Sequence, residues 1–129
     1  MSIKLVFADR FKRDIRRLSK RYRSIRIDLQ PLIDKLEAGE LPGDQVSDVD
    51  YIVFKVRVKN SNIQKGKSSG YRVIYYLQAS DQIILITMYS KSDQSNIDAS
   101  EVREIISDAE AQLSESENSK NEEEEDTAE

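Results

Sequence analysis

The chain has no histidine and no cysteine among its 129 residues. Without cysteine there are no disulfides, no thiolate chemistry and no cysteine zinc site, which fits a cytoplasmic protein. Without histidine the usual general acid/base residue and the commonest metal ligand are gone, so any catalysis must run on other groups. There is no run of about 18 apolar residues, and no apolar stretch follows a basic start. Neither a membrane span nor a secretory signal is therefore expected, and the composition calls for no metal and no cofactor.

What is present is charge, unevenly placed. The net charge of −4 hides a basic body and an acidic end. Residues 1–100 hold 18 Lys/Arg against 12 Asp/Glu, whereas residues 101–129 hold 2 against 12. Such asymmetry points toward nucleic-acid contact.

At this length one domain is expected, with a modest core. Ile3 to Phe7 reads as a short strand. From Asp9, a candidate N-cap, the period changes: Phe11, Ile15, Leu18 and Tyr22 share one helical face. Arg10, Lys12, Arg13, Arg16, Arg17, Lys20 and Arg21 occupy the other side, either as a solvated face or as a phosphate contact. A second helix carries Ile25, Leu29, Leu32, Ile33 and Leu36. Its start is open: with Asp28 as cap, Pro31 falls in the first turn, and with a start near Ser24 a kink is expected. Gly39 ends it, and Leu41 to Asp44 reads as a turn.

Tyr51 to Lys59 alternates. Ile52, Phe54, Val56 and Val58 form one face, and Lys55, Arg57 and Lys59 form the other, because strand side chains point to opposite sides with period two. A polar loop follows. Tyr71 to Leu77 is the next strand, with Arg72 near its start. Ser80 to Gln82 makes a tight connection into Ile83 to Tyr89, apolar throughout as a strand covered on both faces must be. Asp98 and Glu101 form a capping-box pattern ahead of a last helix that carries Val102, Ile105, Ile106, Ala109 and Leu113 on one face. Residues 114–129 cannot bury enough apolar surface to fold and are expected to be a disordered acidic tail, which either keeps a basic protein soluble or folds back on its basic surface. Residues 1–113 are thus the domain: α+β, an antiparallel sheet packed against two N-terminal helices, plus a C-terminal helix.

Three stretches, YIVFKVRV, GKSSGYRVIYYL and ILITMYSKSD, occur in the order and spacing of the RelE/ParE toxin superfamily. Over roughly residues 3–112 the chain resembles its RelE/HigB-type branch. The resemblance implies a type II toxin held inactive by a cognate antitoxin, and a ribosome-dependent mRNA endonuclease whose cleft on the sheet needs no metal. Carried over by position, its catalytic residues are Lys55, Arg57, Arg72 and Lys91. The ParE-like branch implies a different outcome, gyrase inhibition without catalysis, and the basic row argues against it. A degenerate toxin that only binds its antitoxin is the third reading.

The residue types suit the implied chemistry. A crowded lysine, Lys55, is the candidate base for the ribose 2′-OH, because neighbouring cations disfavour its charged form. Arg72 and Arg57 match phosphorane oxygens with a charged fork, and Lys91 assists. Tyr76 and Tyr89 are candidates to stack on a base, while Lys59, Lys65 and Lys67 are candidates for nonspecific RNA contact. The chain departs from the family pattern after the last strand. Ser92 stands where an arginine is usual and Asp98 where a tyrosine is. Asp98 reads better as a helix cap, which leaves Lys91 or Tyr89 to protonate the leaving oxygen.

Overall fold

In a computed structural model residues 2–63 and 70–127 are described, with side chains as far as residue 115. The chain runs β1 (Lys4–Phe7), α1 (Asp9–Ser19), α2 (Ile25–Glu37), β2 (Asp44–Val46), β3 (Ile52–Val58), β4 (Tyr71–Ala79), β5 (Gln82–Ser90) and α3 (Ala99–Thr127). Lys65 and Lys67 lie outside the described residues, as do the side chains of the acidic tail from residue 116 on.

Each helix owes its place to one apolar face. In α1, Phe11 and Leu18 are buried with Ile15 beside them, and the chain continues into the buried Tyr22. The N-cap is Ala8, not Asp9, and it makes no side-chain cap bond. Ala8 instead donates its N–H to the Leu85 carbonyl at 3.0 Å, so the helix start is tied to the sheet. Asp9, one residue later, still places a carboxylate in the first turn, where the helix dipole favours it.

α2 starts at Ile25, with Ser24 as N-cap. Asp28 is therefore inside the helix, and its carboxylate holds the loop after β3 by accepting from the Ser61 N–H and hydroxyl at 2.9 and 3.0 Å. Pro31 sits in the helix interior on the exposed side, where its missing N–H drops the bond to the Ile27 carbonyl. Gly39 at φ +88° ends the helix. Its N–H reaches the Leu36 carbonyl, and the Glu40 N–H reaches that of Lys35, which satisfies two orphan carbonyls.

The sheet order is β1-β5-β4-β3-β2. β2 to β5 form the expected antiparallel meander. β1 joins its edge in parallel, with Lys4 opposite Gln82 and Phe7 opposite Leu85. That partner lies at the far end of the domain sequence, so local patterning does not reveal it. β2 emerges directly from the expected turn and is only three residues long.

The sheet is sandwiched. On one face α1 and α2 pack Phe11, Leu18, Leu29 and Leu36 onto Val58, Val73, Tyr75 and Leu85. On the other, Val102, Ile105, Ile106 and Ala109 of α3 pack onto Val53, Ile74, Tyr76, Ile84 and Ile86. Two side chains of β3 break its simple alternation. Ile52 is 49 % exposed at the strand start, whereas Val53, on the cationic side, is buried beneath α3.

Candidate functional site: a basic cleft on the sheet

α3 covers only part of its face of the sheet. Past its contact, β3 and β4 continue with Lys55, Arg57 and Arg72, all on that face by strand parity. Arg57 and Arg72 are directly opposite in the antiparallel register, and Arg72 is opposite Tyr89 of β5. Lys91 follows β5, its N–H bonded to the Gly70 carbonyl at 3.0 Å. Lys55, Arg57, Arg72 and Lys91 line one cleft of about 320 Å³, together with Asp44, Ser95 and Asn96.

The electrostatics of the cleft are uneven. Arg72 is 4 % exposed, and its guanidinium donates to the Tyr71 carbonyl at 3.1 Å. Burial lowers its pKa from the ordinary arginine value, and the Arg57 guanidinium beside it lowers it further, against a smaller opposing effect of Tyr89. Among the described residues no salt bridge joins any of the four cations to a carboxylate. Lys55 donates from Nζ to Asn96 Oδ1 at 3.0 Å, which fixes the amine at the cleft wall.

The loop after β5 is tied down from several sides. Arg21, at the end of the α1 segment, grips both oxygens of Asp93 at 2.8 Å. The Asp93 and Gln94 N–H groups return to the Ser90 carbonyl, and Gln94 Nε2 donates to the Asn96 carbonyl. Ser92 is drawn back to the Ser90 hydroxyl at 2.8 Å and does not line the cleft. Asp98 is the α3 cap. It accepts from the Glu101 N–H at 2.9 Å and the Ser100 hydroxyl at 2.7 Å, and these bonds hold its carboxyl below its ordinary pKa.

A family model for the RelE toxin of the RelE/RelB toxin–antitoxin system matches residues 10–126. The chain belongs to the RelE toxin family. It is thus a toxin of a toxin–antitoxin system, and the family implies an antitoxin as its partner. A search of curated proteins found no match. Among the described residues, no helix is long and apolar enough to cross a membrane.

Not every expected residue of this RelE toxin comes to the cleft. Tyr76 does not: it is fully buried under α3, its hydroxyl 3.4 Å from Glu110 and its ring edge-on to Tyr51. Stacking on a base is closed to it, because α3 covers that part of the face. Tyr89 is 4 % exposed and also presents no open ring. Among the described residues its hydroxyl has no partner, and its pKa is raised, chiefly by burial, so it stays neutral. Lys59 lies past the end of β3 in a separate groove with Lys35, Pro42 and Val58, which Arg57 also borders. Of the seven cations on α1 and in the turn after it, Arg10, Arg17 and Arg21 are paired with Glu101, Asp14 and Asp93.

Three cleft residues carry no signal in the sequence. Asp44 enters through β2, opposite Lys55, and Ser95 and Asn96 enter through the loop. Only their closeness to Lys91 along the chain marks the last two.

Proposed function

We propose that this RelE toxin is a ribosome-dependent mRNA endonuclease of the HigB type, acting in the cytoplasm without metal or cofactor. The convergence of Lys55, Arg57, Arg72 and Lys91 in one cleft carries the reading. Single-stranded mRNA lies with its scissile phosphate over Arg57 and Arg72, whose forks match the equatorial oxygens of a phosphorane. Lys55, oriented by Asn96, takes the proton of the 2′-OH. The 2′-oxygen bonds to phosphorus, the bond to the 5′-oxygen breaks, and a 2′,3′-cyclic phosphate remains. Lys91 gives the leaving oxygen its proton, since Ser92 is turned away and Asp98 is committed to α3.

Mapping of mRNA 5′ ends after brief induction tests the reading. New ends at a fixed position of the reading frame are expected, and gyrase inhibition with intact mRNA would overturn it. The leaving-group role is tested separately. Single-turnover cleavage by Lys91→Ala is expected to fall on the order of 10²-fold, the lower range for one proton-transfer group. A wild-type rate would remove Lys91 from that role.

A further inference from the structure

Strict alternation along β5 fails at one place. Ile83 and Leu85 pack toward α1 and α2, and Ile84 and Ile86 pack toward α3. If the pattern continued, Tyr89 and Lys91 would point toward α1, away from the cleft. Instead Met88 packs on the α1 side and Tyr89 on the α3 side. The pairing explains the change. Ile74 is opposite Thr87 and Tyr75 is opposite Leu85, so Ile86 is an extra residue, a β-bulge. Thr87 still reaches α1, and from Met88 on the two faces are exchanged.

A bulge interrupts the ladder and leaves backbone groups needing partners. Here the partner is Asp14, in the middle of α1. It is 6 % exposed, on a helix otherwise rich in cations. Its Oδ2 accepts from the Thr87 hydroxyl at 2.6 Å and from the Met88 N–H at 3.1 Å. Its Oδ1 lies 3.4 Å from Arg17 Nη2. With the Ala8 N–H on the Leu85 carbonyl, α1 grips β5 on both sides of the bulge.

We infer that Asp14 is a positioning residue of the cleft: by locking the β5 bulge it turns Tyr89 and Lys91 onto the face of Arg57 and Arg72. The inference rests on the proposed RNA-cleaving role for its consequence in catalysis, but not for its geometry. A carboxylate satisfying a buried N–H would stabilise the fold generally. A positioning residue instead affects the β5 side of the cleft and spares the β3 side.

The test is a pair of double-mutant cycles on single-turnover cleavage by the full chain, with thermal unfolding as a control for folding. Asp14→Asn keeps the shape and removes the charge, so the one oxygen that accepts both bonds makes neutral bonds in place of charge-assisted ones. Its rate is expected to fall on the order of 10–100-fold, as displacement of a catalytic group does. The loss should largely vanish in a Lys91→Ala background and persist in full in a Lys55→Ala background. Equal loss in both backgrounds, or none in wild type, overturns the inference. Thr87→Val, which removes one of the two bonds, is expected to give the same pattern at smaller amplitude, with Thr87→Ser restoring the rate.

A readout without RNA separates this inference from the function itself. With lysines labelled by 13C-methyl groups, titration with inorganic phosphate is followed at Lys91 and Lys55. Asp14→Asn should weaken the Lys91 response and leave that of Lys55 unchanged. Equal weakening at both, or at neither, overturns the positioning role even if the wild type cleaves mRNA. A wild type that cuts no RNA but gives the expected phosphate pattern overturns the proposed function alone.

Discussion

With Arg72 replaced by methionine, cleavage of mRNA in translating ribosomes is expected to fall on the order of 10²–10³-fold, the cost of losing one donor aimed at transition-state charge. The domain should nevertheless remain folded and melt no lower than wild type. Methionine fills much of the volume of the arginine stem and is tolerant of irregular cores. Two unfavourable effects disappear with the guanidinium: the burial of a charge, and its repulsion by Arg57. Buried charges exchanged for apolar groups of similar volume are often neutral or stabilising. Cleavage assays and thermal unfolding of the same preparation separate the outcomes. Unchanged cleavage removes Arg72 from the chemistry, and a large fall in melting temperature assigns it a role in the fold instead.

Gly43→Ala is expected to give the largest loss of stability from adding a single methyl group. Gly43 sits at φ +103°, where an L side chain is strained, and a Cβ there would lie 2.5 Å from the Lys55 carbonyl oxygen and 2.9 Å from Val56 Cβ. The first of these neighbours is backbone, so β2 and β3 must part to admit it. Strain of this kind costs on the order of 1–3 kcal/mol, and the clash adds to it. A fall in melting temperature of roughly 10 °C is expected for a domain of this size. Gly39→Ala is the control. Its φ is +88° but nothing lies within 4 Å of the new Cβ, so it bears the strain without the clash. Equal melting temperatures for the two variants would show that the close approach of Gly43 to β3 carries no weight. The Gly43 variant should also lose activity, because Lys55 and Asp44 lie on the two strands being parted.

Much of the cleft was legible because strand parity is local. The alternation from Tyr51 to Lys59 places Lys55 and Arg57 together, and the antiparallel return brings Arg72 opposite Arg57. The apolar faces of α1, α2 and α3 follow from helical period in the same way. What escaped the sequence depends on contacts made far along the chain. The burial of Tyr76 depends on where α3 lands, and the pairing of β1 depends on β5 having a free edge. The position of Lys91 came from resemblance alone, for alternation along β5 would have sent it to the wrong face. The bulge that corrects this leaves no mark in a strand whose residues are apolar on both sides. The nearest thing to a signal is Asp14, an acid in mid-helix with cations on either side.

Arg57 and Arg72 face each other across β3 and β4, and among the described residues neither is paired with a carboxylate. The cleft therefore holds a repulsion that the remainder of the fold must contain. An anion that enters relieves it, and by mass action the same event raises the free energy of unfolding of the whole chain. Thermal stability thus becomes a gauge of occupancy. Any anion that settles between the two guanidinium groups discharges one and the same repulsion, so whichever is bound leaves less for the next to gain.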